Sequence, residues 1–218
     1  ATYISEMSTP GRRSFFGSFQ YTTIIAGQLL ALLTVAVLQH VLLPEDLKAW
    51  GWRIPFFIGA ISAIVVVFLR RSMTETASVK EMKSKEAGSI RALLKHKRAV
   101  ILTVAITMGC SLYYYTFTSY MQKYLVLSVG MDADTVSFIM TSALVCFMIC
   151  QPFFGMLADR IGVKKSMMLF GGLATVLVVP ILTTLKTVSS PYAAFALIMS
   201  GLLVAAFYTP VTGVLKAD

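Results

Sequence analysis

Residues 155–167, GMLADRIGVKKSM, interrupt a chain that is strongly apolar on both sides of them. The stretch holds four charged residues and two glycines, and the sequence then returns at once to Met and Leu. Because charge of this density is costly within lipid, the stretch predicts a turn outside the membrane between two spanning helices. Gly162 can adopt the backbone conformation of a tight turn, and Gly155 allows a neighbouring helix to approach closely.

The composition on either side of this loop is that of a membrane protein. Hydrophobic residues make up 57% of the 218 residues and charged residues 13%, against roughly 25% charged residues in soluble domains. The formal net charge of +9 comes from short basic runs between apolar stretches. This pattern predicts contact with a lipid bilayer, including its anionic lipids, and no nucleic-acid partner.

Six apolar stretches are long enough, or nearly so, to cross a bilayer as helices, which takes about twenty residues. A membrane β-barrel would show alternating polarity instead of these continuous runs. The predicted fold class is therefore an all-α integral membrane protein. The predicted spans lie at roughly 15–39, 54–69, 99–122, 135–158, 167–185 and 192–215.

Lys and Arg are divided unequally between the two sides of these spans. Fifteen of the 19 lie on the side that includes the polar segment 70–98 and the loop at 160–165, and four lie on the other side. By the positive-inside rule the richer side is cytoplasmic, so both ends of the chain are expected in the cytoplasm.

The sequence contains no catalytic constellation and no metal-binding pattern. His40 and His96 fall in predicted loops, and Cys110, Cys146 and Cys150 lie within apolar runs without a neighbouring His or acid. We therefore predict no enzyme activity, no metal and no cofactor.

GMLADRIGVKKSM resembles a loop signature of the major facilitator superfamily, G-x-L-x-D-r-x-G-r-k. In that superfamily the signature occurs between the second and third helices and, more weakly, between the eighth and ninth. The start of the chain, with Glu6, Pro10, Arg12 and Arg13, is similar, though not in exact spacing, to the E-x-x-P-x-x-R motif that ends the fourth helix, and residues 208–218 resemble the equivalent point after the tenth. The resemblance implies about six of twelve helices in the helical bundle, from the fifth to the tenth, and hence a fragment.

Four further stretches, at 18–33, 50–65, 114–126 and 188–203, are similar to the metabolite:proton symporter family. This resemblance implies proton-coupled symport of a dicarboxylate such as α-ketoglutarate across the bacterial inner membrane, by a carrier that is monomeric when full length. The small-molecule partners would be an anion and a proton. All ten acids fall in predicted loops or at span ends, and the resemblance implies that the proton-carrying residue lies in the first four helices, which are not in this chain.

The resemblance also implies a division of the chain. Residues 1–69 would end the N-terminal bundle, 70–98 would form a cytoplasmic linker, and 99–218 would belong to the C-terminal bundle. Three alternatives remain open: a symporter of the same family for citrate or another organic acid, one for an osmolyte such as proline or betaine, and a membrane scaffold that transports nothing.

Polar side chains in or near the spans are the candidates for binding an anionic substrate. A guanidinium can hold a carboxylate with two hydrogen bonds, but Trp50 and Trp52 beside Arg53 are equally typical of an interfacial anchor. Amides and hydroxyls within apolar runs are costly in lipid and are expected to face other helices or a cavity. The substrate-binding candidates are Arg53, Lys123, Gln20, Tyr21, Gln28, Tyr114, Tyr115 and Gln122.

The charged loop is the candidate for a conformational latch. Asp159 is predicted either to pair with Arg160 or to cap the positive N-terminus of a neighbouring helix. The resemblance implies that this neighbour is the helix that starts at Pro10 to Ser14, and that the contact forms in the outward-facing state and breaks when the two halves rock. The latch candidates are Gly155, Asp159, Arg160, Gly162, Arg12 and Arg13.

Overall fold

The computed structural model describes residues 8–9, 11–71, 97–188 and 190–217, and over these ranges the only regular structure is helical. Most of the predicted linker at 70–98, together with Glu6, Pro10 and Asp218, lies outside the described residues. The α-helices in the described ranges are α1 (Arg13–Val41), α2 (Pro44–Ala49), α3 (Ile54–Arg71), α4 (Lys97–Tyr115), α5 (Met121–Leu127), α6 (Ala133–Ile161), α7 (Val163–Leu185), α8 (Pro191–Ala205) and α9 (Thr212–Ala217).

Six helical stretches in the described part of the chain are long and apolar enough to cross a membrane, which confirms the predicted number. Each overlaps one of the predicted spans. They run over Arg13–Val41, Gly51–Arg71, Lys97–Leu127, Ala133–Ile161, Val163–Leu185 and Pro191–Val214.

The turn between α6 and α7 is shorter than the sequence predicts. Gly162 alone separates the two helices, and its φ of +91° lies in the region that favours glycine. Helix α7 therefore begins at Val163, four residues before the predicted start at 167, and Lys164 and Lys165 lie in its first turn.

Two spans are irregular. The third continues from α4 into α5 through a π-helical segment, Thr116–Tyr120. The sixth stops being α-helical after Ala205 and passes through a 3-10 segment, Thr209–Val211, before α9. Pro210 accounts for this break, because a proline cannot donate a backbone hydrogen bond and its ring clashes with the preceding turn of an α-helix. The predicted span 192–215 is thus present but is not one uninterrupted α-helix.

The core lies between α1, α4, α6, α7 and α8. Fully buried side chains in this core include Ile25 of α1, Phe117 of the π-helical segment, Phe147 of α6 and Tyr208, which follows α8. Helix α1 packs chiefly along α6 and against the 3-10 segment at Thr209–Val211. Helix α3 contributes no buried residue.

Because a chain that crosses a membrane in successive spans reverses its direction with each one, its basic loops are expected at one end of the helices. We call the end that carries Arg12, Arg71, Lys97 and Arg160 the basic end, and the end that carries Arg53, Lys123 and Lys186 the opposite end.

Candidate functional site

Asp159 caps the N-terminus of α1. Its Oδ1 accepts a hydrogen bond from the backbone N–H of Ser14 at 2.8 Å, and its Oδ2 accepts one from the N–H of Phe15 at 2.9 Å. The residue before α1, Arg12, makes no capping hydrogen bond of its own through its side chain. The carboxylate of Asp159, 145 positions after Ser14 in the chain, thus satisfies two N–H groups that lack partners within the helix. Its negative charge also lies at the positive end of the dipole of α1.

Gly155, one turn before Asp159 on α6, lies directly against the same part of α1. A Cβ atom built at this position would lie 2.9 Å from both the Cα of Phe15 and the carbonyl oxygen of Ser14. Real Cβ atoms do not approach backbone atoms this closely, so any larger residue would push the two helices apart. The glycine is required for the approach that brings Asp159 to the N–H groups.

A second glycine contact lies on a neighbouring face of α1. A Cβ atom at Gly17 would lie 2.5 Å from the carbonyl oxygen of Pro210 in the 3-10 segment. Ser14 and Ser18 are buried beside it, at 1% and 0% exposure. The first two turns of α1 therefore fit between α6 and the end of the α8 span through small side chains.

The basic residues predicted for the latch lie around this contact. Arg12, Arg13 and Arg160 are exposed, and Arg12 and Arg160 line an open cavity of about 250 Å³ together with Asp159. Of the two partners predicted for Asp159, the structure gives it the helix N-terminus, since both of its oxygens accept the backbone hydrogen bonds of α1.

Farther along α1, Gln28 bonds to the irregular part of the third span. Its Nε2 donates to the carbonyl oxygen of Thr118 at 3.1 Å. Thr118 lies in the π-helical segment and is 2% exposed. An amide within an apolar run was expected to face another helix, and Gln28 does so.

Towards the opposite end, residues of α1, α5 and α6 line a cavity of about 430 Å³. Gln122 on α5 lines it and donates a long hydrogen bond, 3.4 Å, to the Oγ of Ser137. The other lining residues are largely aliphatic: Leu29, Leu32, Leu33, Val35, Ala36, Gln39, Met140, Thr141 and Val145.

Two of the predicted tyrosines come together in the core. The rings of Tyr21 and Tyr114 meet edge to face, with centroids 5.5 Å apart. Tyr21 also meets Tyr208, which follows α8, at 6.0 Å. Tyr114 is 4% exposed and Tyr208 is fully buried.

The remaining substrate-binding candidates do not join this cluster. Arg53 is exposed, lies over the ring of Trp52 at 4.9 Å and donates to the carbonyl oxygen of Ala49 at 3.3 Å, contacts that fit the alternative of an interfacial anchor. Lys123 and Tyr115 are exposed and Gln20 is half-buried. The structure therefore distributes the eight candidates over several surfaces.

Sequence reasoning missed three buried polar residues. Thr209 donates to the Oε1 of Gln151 at 2.7 Å, both side chains are fully buried, and Tyr208 lies next to Thr209. The signal that could have identified them is their position beside a proline in an apolar run: Gln151 precedes Pro152, and Tyr208 and Thr209 precede Pro210.

In the part of the chain that the structure describes, no three His, Cys, Asp or Glu side chains gather into a group that could hold a metal ion.

Comparison with known proteins identifies the family. The family model of the Major Facilitator Superfamily matches residues 1–217. The chain is 52% identical over its whole length to the alpha-ketoglutarate permease of Escherichia coli (strain K12), of which it covers 50%.

More distant relatives are named as osmolyte transporters. The chain is 27% identical to a putative proline/betaine transporter of Staphylococcus haemolyticus over 97% of its own length and 46% of the relative. It is also 27% identical to the proline/betaine transporter of Salmonella typhimurium, over 79% of its own length and 37% of the relative.

The chain thus spans about half the length, or less, of these curated relatives. No solved structure matches it at a significant level. The family model covers nearly every residue, and Asp159, which caps α1, belongs to the stretch that resembles the signature motif. The chain belongs to the major facilitator superfamily.

Proposed function

We propose that the chain is about half of a secondary active transporter that carries a dicarboxylate such as α-ketoglutarate together with a proton across the bacterial inner membrane. The observation that carries this proposal is the 52% identity to the alpha-ketoglutarate permease, which extends over all 218 residues. A carrier of this kind has a small anion and a proton as partners and works as a monomer.

An osmolyte such as proline or betaine is the second candidate substrate. Citrate or another organic acid is a further candidate, for a symporter of the same family. The relatives named as proline/betaine transporters support the osmolyte at 27% identity. The difference between 52% and 27% favours the dicarboxylate. A scaffold without transport activity is the alternative from a different class.

We assign residues 1–69 to the end of the N-terminal bundle, 70–98 to the cytoplasmic linker and 99–218 to the C-terminal bundle. In this division α1 and α6 belong to different bundles, so their contact lies between two parts that move relative to each other during transport. The basic end is the cytoplasmic end by the positive-inside rule, which places both ends of the chain in the cytoplasm.

The latch is the contact of Asp159 and Gly155 with the start of α1, flanked by Arg12, Arg13 and Arg160 and positioned by the turn at Gly162. It holds the two bundles together at the cytoplasmic end in the outward-facing state and opens when they rock. Two features support this role: Asp159 bonds two N–H groups of α1 at one end of the α1–α6 pair, and the same helices line a cavity of about 430 Å³ towards the other end.

The test of the proposed function is transport by the full-length carrier. Purified protein is reconstituted into liposomes, and uptake of labelled α-ketoglutarate is measured with and without an inward proton gradient. We expect accumulation that requires the gradient and is abolished by a protonophore.

Competition identifies the substrate class in the same preparation. Unlabelled citrate, succinate and betaine are added in excess to labelled α-ketoglutarate, and uptake of labelled betaine is measured in parallel. If betaine is taken up and α-ketoglutarate is not, the substrate is an osmolyte and not a dicarboxylate. Uptake of neither would favour the scaffold. Residues 1–218 alone are expected to show no gradient-driven accumulation, since about half of the carrier is absent from them.

A further inference from the structure

The third span contains one irregular turn, the π-helical segment Thr116–Tyr120 between α4 and α5. The backbone N–H of Met121 donates to the carbonyl oxygen of Thr116, five residues back, whereas an α-helix bonds four residues back. Such a turn amounts to one residue inserted into an α-helix. Helix α5 therefore has a register that differs by one residue, or about 100°, from that of a continuous α4.

Two threonines stabilise this turn from within the span. The Oγ1 of Thr116 donates to the carbonyl oxygen of Leu112 at 2.8 Å. The Oγ1 of Thr118 donates to the carbonyl oxygen of Tyr114, also at 2.8 Å. Hydroxyl groups that bond four residues back in this way favour bent helices. Both bonds lie within the third span, so they do not depend on the position of α1.

Gln28 adds a hydrogen bond from α1. Its Nε2 donates to the carbonyl oxygen of Thr118 at 3.1 Å, in the middle of the irregular turn. Thr118 is 2% exposed, so this bond lies within the core. In the proposed division of the chain α1 and the third span belong to different bundles, and this hydrogen bond is therefore lost when the bundles separate.

The part of the third span before the turn is fixed against α8. Tyr113 donates its hydroxyl to the carbonyl oxygen of Gly201 at 3.1 Å. Phe117 is fully buried, and its ring occupies the space that a Cβ atom at Gly201 would need. A change of register at the turn is therefore expected in α5 and not in α4.

The register of α5 decides which of its side chains faces the cavity of about 430 Å³, which Gln122 now lines. Without the inserted residue each position of α5 would be taken by the residue before it. Met121 would replace Gln122 at the cavity, and Tyr124 would take the fully buried position of Leu125. The larger ring disfavours this register while the core is closed. Ile25 of α1 belongs to the same buried cluster as Leu125, so displacement of α1 relieves the restriction.

We propose that Gln28 is a positioning residue that holds the third span in its π register while α1 is in place, and that the turn becomes continuous α-helix once α1 moves. The turn is then a two-state element that transmits the position of α1 to α5. Gln28 acts on the third span in this role, and not on the substrate as the sequence indicates. The inference rests on the proposed function only in that α1 moves relative to the C-terminal bundle.

The test is the distance between two spin labels in the full-length carrier, attached at Leu127→Cys on α5 and Tyr192→Cys on α8 in a background without other cysteines. Both positions are highly exposed, at 81% and 88%. Both lie in the C-terminal bundle, so rocking of the two bundles leaves their distance unchanged. A one-residue change of register moves the side chain of Leu127 by about 8 Å, the chord of a 100° turn on a helix about 11 Å in diameter.

Gln28→Leu should increase the population with a second distance about threefold over the wild type, the average effect of one interhelical hydrogen bond. Gly155→Ala, which pushes α1 away from α6, should increase it as well. The matched control is Gln39→Leu, the same substitution at an exposed amide about three turns farther along α1. It should leave the distances as in the wild type.

Three results with these variants would overturn the inference. The first is the absence of a second distance in Gln28→Leu, even if its Tm is lowered, because Gln28 would then only stabilise the fold. The second is its absence in Gly155→Ala, because movement of α1 would then leave the turn unchanged. The third is an equal effect of Gln28→Leu and Gln39→Leu.

Deletion of Ser119, an exposed residue of the turn, removes the inserted residue itself. The deletion variant should fold and should show the second distance as its main one. A variant that does not fold, or that keeps the wild-type distance, would show that the turn and a continuous α-helix are not interchangeable, and the inference would fail.

Uptake of labelled α-ketoglutarate by the same spin-labelled carrier separates this result from the proposed function. If α-ketoglutarate is not transported while Gln28→Leu shows the second distance, the proposed function is wrong and the inference holds. If α-ketoglutarate is transported and neither Gln28→Leu nor Gly155→Ala shows the second distance, only the inference is wrong.

Discussion

The two ends of the α1–α6 pair differ in chemistry although the same two helices form both. At the basic end the helices touch through Gly155, and Asp159 bonds the N–H groups of Ser14 and Phe15 at 2.8 and 2.9 Å. Towards the opposite end they line a cavity of about 430 Å³, together with Gln122 of α5, and most of its lining side chains are aliphatic.

The difference indicates why the two helices touch closely at one end and leave a cavity at the other. Contact at the basic end needs a residue without a side chain on α6 and a negative charge that complements the helix dipole of α1. Gly155 and Asp159 supply these two features within five residues of α6. The opposite end has no glycine at the cavity and no capping carboxylate among its lining residues. Opening is therefore expected to be controlled at the basic end, and three sets of substitutions in the full-length carrier test this.

Gly155→Ala should have the largest effect. The added Cβ would lie 2.9 Å from backbone atoms of Ser14 and Phe15, and overpacking of this kind costs about 1–3 kcal/mol. This corresponds to a loss of about five- to 150-fold in the closed population at the basic end. The measurement is labelling of a single cysteine placed at Ser18, which is buried beside Gly155, by a membrane-impermeant maleimide applied at the basic end.

The matched control is Gly172→Ala on α7, where an added Cβ meets nothing within 4 Å. It should leave the labelling of Ser18→Cys unchanged and should stabilise α7 by up to about 1 kcal/mol, because alanine favours a helix over glycine. Equal labelling of both variants would show that close approach at Gly155 is not what closes this end.

Asp159→Asn should have an intermediate effect. The neutral amide retains one oxygen acceptor but loses the charge and the second acceptor, and loss of an N-terminal cap costs about 1 kcal/mol. Labelling at Ser18→Cys should increase about fivefold, and transport should change with it. Asp134→Asn, at an exposed position in the first turn of α6, serves as the control. If Asp159→Asn changes neither accessibility nor transport rate, Asp159 has no latch role.

Gln28→Leu should increase the labelling of Ser18→Cys less than the two substitutions above. Gln122→Leu should increase it even less than Gln28→Leu. Gln28 bonds to the buried Thr118 carbonyl at 3.1 Å, whereas Gln122 bonds to Ser137 at 3.4 Å in an exposed position. Interhelical hydrogen bonds in membranes contribute about 0.6 kcal/mol on average, which is roughly threefold in a conformational equilibrium. The same labelling assay measures both. A larger effect of Gln122→Leu would mean that the opposite end also controls opening.

The sequence predicted the parts of the fold that depend on local composition. Continuous apolar runs identified all six spans, and Gly162 identified the turn, because positive φ is accessible to glycine without strain. The positions of irregular backbone were predicted less well. Pro210 marked the break after α8, but no proline or glycine lies in the π-helical segment Thr116–Tyr120, so the sequence contained no sign of it.

The candidate site was predicted unevenly for a similar reason. Asp159 and Gly155 were identified because a motif carries them, and Gln28 because an amide stands out in an apolar run. Tyr208 was missed because a tyrosine towards the end of a span is also typical of the membrane interface, and only its full burial distinguishes the two cases. Gln151 was missed although its amide lies in an apolar run, as that of Gln28 does.

The sequence by itself determined that six stretches in the described part of the chain are long and apolar enough to cross a membrane, which stretch between them carries the charges, and where a carboxylate and a glycine are available on α6. These properties follow from hydrophobicity, helix period and glycine geometry, all of which act over a few neighbouring residues. Only the tertiary structure decided that Asp159 caps α1, that Gln28 reaches Thr118, and that Tyr21 covers Tyr114 and Tyr208. Those contacts join residues about 90 to 190 positions apart, and they depend on which helices pack together and at what depth they meet.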